Sequence, residues 1–162
     1  MRVGVMSDTH NRLPSAVLTM FEGVDHILHA GDVGNHDILT VLEAVAPLTA
    51  VWGNTDGFGI RHRLPEVARC DLAGKRVVVV HGHRYGMPSA MLLKEDHPDA
   101  DLIVYGHTHR AAAEWIGGSL ILNPGSAGAP RDGNDASVAI VRIEDGQMDV
   151  DWFSLPRRQR TD

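Results

Sequence analysis

The sequence holds a single cysteine, Cys70, in 162 residues, so no intrachain disulfide can form, which fits a cytosolic setting. Cys70 falls in the alternating stretch 66–72 and is expected to be a buried structural thiol. Basic charge is not in surplus. Fifteen Lys and Arg stand against 21 Asp and Glu, a net charge of −6. A general grip on nucleic acid or on an anionic membrane calls for basic surface, so neither partner is expected. A phosphorylated substrate stays possible, because bound metal ions reverse the sign of the field locally. No apolar run approaches the roughly 18–20 residues of a membrane-spanning helix. Residues 2–6 (RVGVM) read as a strand, without the basic segment and apolar core of a signal peptide, so none is expected.

The chain has 43% hydrophobic and 22% charged residues, the balance of a soluble globular protein. Its length suits one domain, and a domain of this size hides roughly 70% of the surface its unfolded chain exposes. We expect one domain over residues 1–156, followed by a polar tail at 157–162.

The order of elements follows from short apolar runs and their punctuation. Residues 3–6, 26–29 and 48–52 read as strands. Between them, Pro14 opens a helix to about Glu22, and Asn35 caps a helix to about Val45 with Ile38, Leu39, Leu42 and Val45 on one face. This β-α-β-α-β order predicts a parallel sheet with helical crossovers. Residues 58–65 carry few core signals and suggest a flexible lip. A hairpin is expected at Ala73-Gly74-Lys75, and Val77 to Val80 suggest a strand buried on both faces. A short helix at 89–96 and a buried strand at 102–105 follow. Strands at 112–116, 119–123, 137–144 and 148–153 complete the chain, two pairs of them joined at Gly117-Gly118 and Asp145-Gly146. The predicted fold is α/β, a four-layer α/β/β/α sandwich of two mixed β-sheets, helix-rich half first and strand-rich half second.

Ten histidines are present, several of them in short clusters with Asp, Asn and Gly. Five clusters follow predicted strands: Asp8-Thr9-His10, Gly31-Asp32, Gly53-Asn54, His81-Gly82-His83 and Gly106-His107-Thr108-His109. Each alone has an ordinary explanation, such as a helix-capping Asp or a Gly-Asp turn. Their conjunction does not, because loops at the carboxyl ends of strands in α/β sheets converge on ligands. Carboxylate, amide oxygen and imidazole together suit Mn, Fe, Zn, Co or Ni, and the thiolates of a structural zinc site are missing.

These residues resemble the calcineurin-like metallophosphoesterases, whose signature runs D-x-H, GD, GN, H, GH-x-H. The small, single-domain phosphodiesterase branch is the nearer likeness, through Ser7-Asp8-Thr9-His10, His29-Ala30-Gly31-Asp32, His81-Gly82-His83, and Asn123-Pro124-Gly125-Ser126 with Pro130-Arg131. The resemblance spans residues 2 to about 153. It implies two divalent metal ions, manganese first among the choices. Asp8, His10, Asp32 and His109 would bind one ion; Asp32, Asn54, His81 and His107 would bind the other, with Asp32 bridging. It also implies phosphoester hydrolysis by a hydroxide held between ions roughly 3.5–4 Å apart. The partner is then a small-molecule or nucleotide phosphoester.

One departure stands out. Many family members carry a histidine directly after the GN pair, often regarded as a general acid. Here that position is Thr55. The change points to substrates with good leaving groups, or to a proton from water or another residue. His83 is a candidate donor, but a place behind the ligands or facing solvent is the favoured reading. Asp56 could orient a ligand or simply make a turn. His29 reads as a core residue and His36 as a helix start, while His26, His62 and His97 read as surface or loop residues. Asn123 to Ser126 should form a turn that shapes the site. Arg131 could meet a substrate phosphate or make a surface ion pair. A phosphomonoesterase of the same fold remains an alternative. So does a silent protein-binding scaffold like the retromer subunit related to this branch; loss of a ligand would mark it, and all seven ligand residues are present.

Overall fold

The computed structural model describes residues 1–155; the predicted polar tail lies outside the described residues. The chain runs β1 (Arg2–Met6), α1 (Ser15–Met20), β2 (His26–His29), α2 (His36–Val45), β3 (Leu48–Ala50), α3 (Phe58–Arg63), β4 (Val67–Leu72) and β5 (Lys75–Val80). A 3-10 turn (His83–Tyr85) leads to α4 (Ala90–Asp96), β6 (Leu102–Val104), β7 (Ala111–Ile116), β8 (Ser119–Pro124), β9 (Ser137–Glu144) and β10 (Gln147–Ser154).

Two five-stranded mixed sheets result, ordered β10-β9-β1-β2-β3 and β4-β5-β6-β8-β7. β1, β2 and β3 are parallel, as the crossover helices require, and β5, β6 and β8 are parallel in the second sheet. The closing hairpin β9-β10 does not join the second sheet. It returns to the first, where β9 lies antiparallel to β1, so sequence halves and sheets do not coincide.

Alternation along the strands builds three apolar layers. Val3, Val5, Val77, Val79, Leu102, Val104, Leu120, Leu122, Ala139 and Val141 meet between the sheets. Met6, Ile27, Val138 and Ile140 point outward onto Val17 of α1, Phe21 just after it, and Ile38, Leu39 and Leu42 of α2. Val78, Val80, Ile103 and Ile121 point the other way, onto Ala90 and Leu93 of α4. β5 is therefore buried on both faces, as its four valines predict. The cap at Asn35 is present, its side chain accepting from the Ile38 N–H at 3.2 Å. The turn pairs Ala73-Gly74 and Asp145-Gly146 adopt the left-handed backbone of two-residue hairpins (φ +47° and +77°, +51° and +77°).

Four local expectations need correction. Residues 58–63 form helix α3, anchored by buried Ile60, where a flexible lip was expected; one apolar anchor in six residues leaves no periodicity to detect. β3 ends at Ala50, because the Trp52 N–H turns away to the Pro65 carbonyl. Cys70 is half-buried, facing a core from the edge strand β4. His97, expected at the surface, is 8% exposed at the end of α4.

Candidate metal centre

The five clusters leave the carboxyl ends of β1, β2, β3, β5 and β6 and meet at one end of the sandwich, with loops from both sheets in contact. The His107 N–H donates to Asp8 Oδ2 at 3.2 Å, and His81 Nδ1 lies 2.7 Å from the Ala30 carbonyl oxygen. Glycines make these approaches possible. A Cβ on Gly53 would sit 2.2 Å from Asp32 Oδ1, and one on Gly31 would sit 2.8 Å from His81 Nδ1. Asp8, His10, Asp32, His107 and His109 all have φ between +45° and +70°. Asp and His tolerate that left-handed region better than most residues, yet it carries strain that clusters at functional sites.

The side chains form two overlapping groups, Asp8 with His10 and His109, and Asp8 with Asp32 and His81. In the first, His109 Nε2 lies 3.1 Å and His10 Nε2 3.7 Å from Asp8 Oδ1. The two imidazoles stand 3.3 Å apart, Nε2 to Nε2. In the second, His81 Nε2 lies 3.3 Å from Asp32 Oδ2 and 3.1 Å from Asn54 Oδ1. Asp32 Oδ2 is also 3.5 Å from His10 Nε2, so one oxygen faces both groups. His107 joins the second group edge-on, its ring centroid 5.2 Å from that of His81.

These residues fit divalent cations on chemistry of their own. Asp8 Oδ1 is buried without a hydrogen-bond partner, a costly state for an acceptor unless a cation meets it. His81 Nδ1 and His109 Nδ1 lie 2.7 and 2.6 Å from the carbonyl oxygens of Ala30 and Ala129, which assigns their protons there and turns both Nε2 lone pairs inward. Burial works to raise the pKa of both carboxyls, yet the imidazole contacts outweigh it. Contacts with His10 and His109 hold Asp8 well below the usual carboxylate range, and His81 does the same for Asp32. Burial opposes protonation of His81, but Asp32 and Asp8 overcome it and raise its pKa; the neighbouring Asp8 carboxylate raises that of His10. Burial and the neighbouring His81 lower that of His107.

The other expected residues surround this cluster. Asp56 is buried and accepts from the N–H groups of Val33, Gly34 and Gly53 at 3.1, 2.8 and 2.8 Å, stapling the Asn54 loop to the Asp32 loop. Thr55 donates its N–H to Asp32 Oδ1 at 2.9 Å, and its hydroxyl is 3.4 Å from His10 Nδ1. His83 stands behind the ligand atoms, its ring 5.5 Å from that of His81 and its Nε2 3.6 Å from Glu66. The turn at Asn123 to Ser126 does shape the site. Asn123 Nδ2 donates to Gly106 O and Thr108 Oγ1, and Ser126 Oγ donates to Asp8 O. The exposed Arg131 guanidinium opposes protonation of His10, which places positive charge nearby. His29 is a buried core residue contacting Thr9 Oγ1 at 3.0 Å, and His36 is the first residue of α2. His26 is half-buried against Thr49, and His62 is exposed on α3. Ser7, whose hydroxyl donates to Asp8 Oδ2 at 2.6 Å, entered the sequence reading only through the branch motif Ser7-Asp8-Thr9-His10.

Two facing mixed sheets, with carboxylates, an amide and imidazoles delivered by strand-end loops, form a site suited to divalent cations. The chain belongs to the calcineurin-like phosphoesterase superfamily, whose domain model matches residues 1–146. It is 36% identical to a probable metallophosphoesterase of Methanothermobacter thermautotrophicus, over 93% of this chain and 91% of that one. It is 32% identical to the phosphodiesterase YfcE of Escherichia coli, over 96% and 91%. A crystal structure of a Vps29 variant from Entamoeba histolytica shares the fold, with a TM-score of 0.78 at 21% identity, over 96% of this chain and all of that one. Among the described residues, no helix is long and apolar enough to cross a membrane.

Proposed function

We propose that the chain is a cytoplasmic phosphodiesterase acting on a small-molecule or nucleotide phosphoester, with a single domain at residues 1–156 that binds two divalent ions. The observation that carries this reading is the position of Asp32 Oδ2, 3.5 Å from His10 Nε2 and 3.3 Å from His81 Nε2. Asp8, His10, Asp32 and His109 would hold one ion; Asp32, Asn54, His81 and His107 would hold the other. Among these donors, a carboxylate is the type best able to bridge two cations. Manganese fits this oxygen and nitrogen set, as do nickel, cobalt, iron and zinc.

Bound divalent ions supply positive charge to the phosphoryl group and make a water nucleophilic at neutral pH. The chain's own residues set the geometry. His81 and His109 are oriented through their Nδ1 contacts, Asp32 through the Thr55 N–H, and Asp8 through Ser7 and the His107 N–H. Arg131 meets a substrate phosphate oxygen, and this charge-assisted contact orients the ester. No imidazolium stands at position 55, so departure of the leaving group depends on its own stability or on water. That favours diesters with good leaving groups over phosphomonoesters.

The test is hydrolysis of an aryl phosphodiester beside the matching monoester, with metal-stripped protein refilled by Mn, Ni, Co, Zn or Mg in turn. Metal-dependent turnover with the diester preferred supports the proposal. Monoester preference favours the phosphomonoesterase reading. No turnover despite binding of two ions favours a silent scaffold.

A further inference from the structure

Arg61 is a surface residue of α3 with no part in the ligand set, yet three contacts fix its fork. Its Nη2 donates to the Asn54 carbonyl at 2.8 Å and its Nε donates to the Asp56 carbonyl at 2.7 Å. Its Cζ lies 4.6 Å from the centroid of the Trp52 ring, within the range of a cation–π contact. A long side chain exposed to solvent is seldom held from three directions without a consequence for what it holds. Here it holds the exposed loop that carries Asn54 and Thr55. In that loop Asn54 and Thr55 are exposed between the buried Gly53 and Asp56. Its Gly53 N–H goes to Asp56, its Thr55 N–H goes to Asp32, and its carbonyls at 54 and 56 go to Arg61.

The contact does not stop at Trp52. The indole packs on the His83 ring, with centroids 5.1 Å apart, and His83 stands 5.5 Å from His81 and 6.5 Å from His107. Arg61, Trp52 and His83 therefore form a continuous row of planar groups. One end grips the backbone of Asn54, and the other abuts His81 and His107. Those three residues are members of a single ion's proposed ligand set. Asp8, His10 and His109, assigned to the other ion, touch no member of the row; the braced loop reaches them only through the Thr55 hydroxyl, 3.4 Å from His10 Nδ1.

We propose that Arg61 is a positioning residue: with Trp52 and His83 it braces the Asn54 oxygen against His81, 3.1 Å away, and so sets the affinity of one metal position independently of the other. This rests on the two-ion reading of the site. An arginine is required because a planar fork donates to two carbonyls and lies flat on an indole; a lysine keeps the charge but not that geometry.

The test is stepwise manganese titration of the metal-stripped full chain by calorimetry, on wild type, Arg61→Ala, Arg61→Lys and Asn54→Ala. The wild type should show two binding steps, and Asn54→Ala identifies the step that depends on the braced loop. Arg61→Ala should weaken that same step by about ten- to a hundredfold, the usual effect of removing a group that orients a metal ligand, and leave the other within twofold. Arg61→Lys should recover part of the loss. A melting temperature of metal-free Arg61→Ala close to wild type would show that the fold persists. Two steps in the wild type, with both weakened equally or neither changed in Arg61→Ala, would overturn the brace alone. A single step in the wild type would overturn the two-ion reading and the brace with it.

Discussion

His81 Nε2 lies 3.3 Å from Asp32 Oδ2, and the same carboxylate oxygen lies 3.5 Å from His10 Nε2 on the opposite flank. One oxygen thus serves two groups of donors, and its removal should be felt by both. Asp32→Asn is expected to lower kcat by at least about two orders of magnitude, beyond the 10- to 100-fold cost of disturbing a ligand's supporting contacts. Turnover measured at matched metal content checks it, and wild-type-like rates would contradict the shared role.

Gly53 should tolerate no side chain. A Cβ there would stand 2.2 Å from Asp32 Oδ1 and 2.5 Å from the Asp32 backbone nitrogen. Gly53→Ala is expected to lose metal affinity and activity together, while circular dichroism stays close to wild type, since the three apolar layers lie elsewhere. Calorimetric titration with manganese provides the measurement.

Asp56 accepts three backbone N–H groups from two loops. Asp56→Ala leaves these donors without their partner, at roughly 1–3 kcal/mol for each that water does not reach. Stability of the metal-free protein should fall by about 2–4 kcal/mol in urea unfolding. Asp56→Asn, which keeps one acceptor oxygen, should lose less.

His29 gives a pH signature. Complete burial lowers its pKa from 6.5 to about 4. The unfolded chain therefore takes up a proton below about pH 6.5 that the fold refuses down to about pH 4. The associated stability is whole above 6.5 and is lost as the pH falls through that window. Between pH 7 and 5 the loss from this residue is about 2 kcal/mol. Urea unfolding of metal-free wild type and His29→Gln at both pH values should show a shallower decline in the variant by about that amount.

His83 stands behind the ligand atoms, with burial and the neighbouring His81 lowering its pKa. His83→Gln should reduce kcat by less than about tenfold, below the roughly 10²- to 10⁴-fold that a general acid contributes. It should also keep the shape of the pH–rate profile. Loss of the alkaline limb would assign His83 the proton instead.

Much of this architecture was legible in the sequence. The valines at 77–80 announced a strand buried on both faces, and the five polar clusters announced the candidate site because each closes an apolar run. Other features leave no local trace. Ile60 is one apolar anchor in six residues, so α3 has no period to read. The return of β9 to the flank of β1 depends on which edge the hairpin finds, and alternation is the same for either sheet. His97 is buried by the packing around the end of α4, on a residue type common at surfaces. The left-handed backbone at Asp8, His10, Asp32, His107 and His109 belongs to tertiary contact, though Gly31 beside Asp32 and Gly106 beside His107 mark where the chain must turn sharply. The partners of Asp56 and Arg61 come from loops brought together only by folding.

The most direct measurement is anomalous diffraction from crystals soaked in manganese. Two peaks should appear on either side of Asp32, one contacted by Asp8, His10 and His109 and the other by Asn54, His81 and His107. A single peak at saturating manganese, or two peaks that do not share Asp32, would contradict the account.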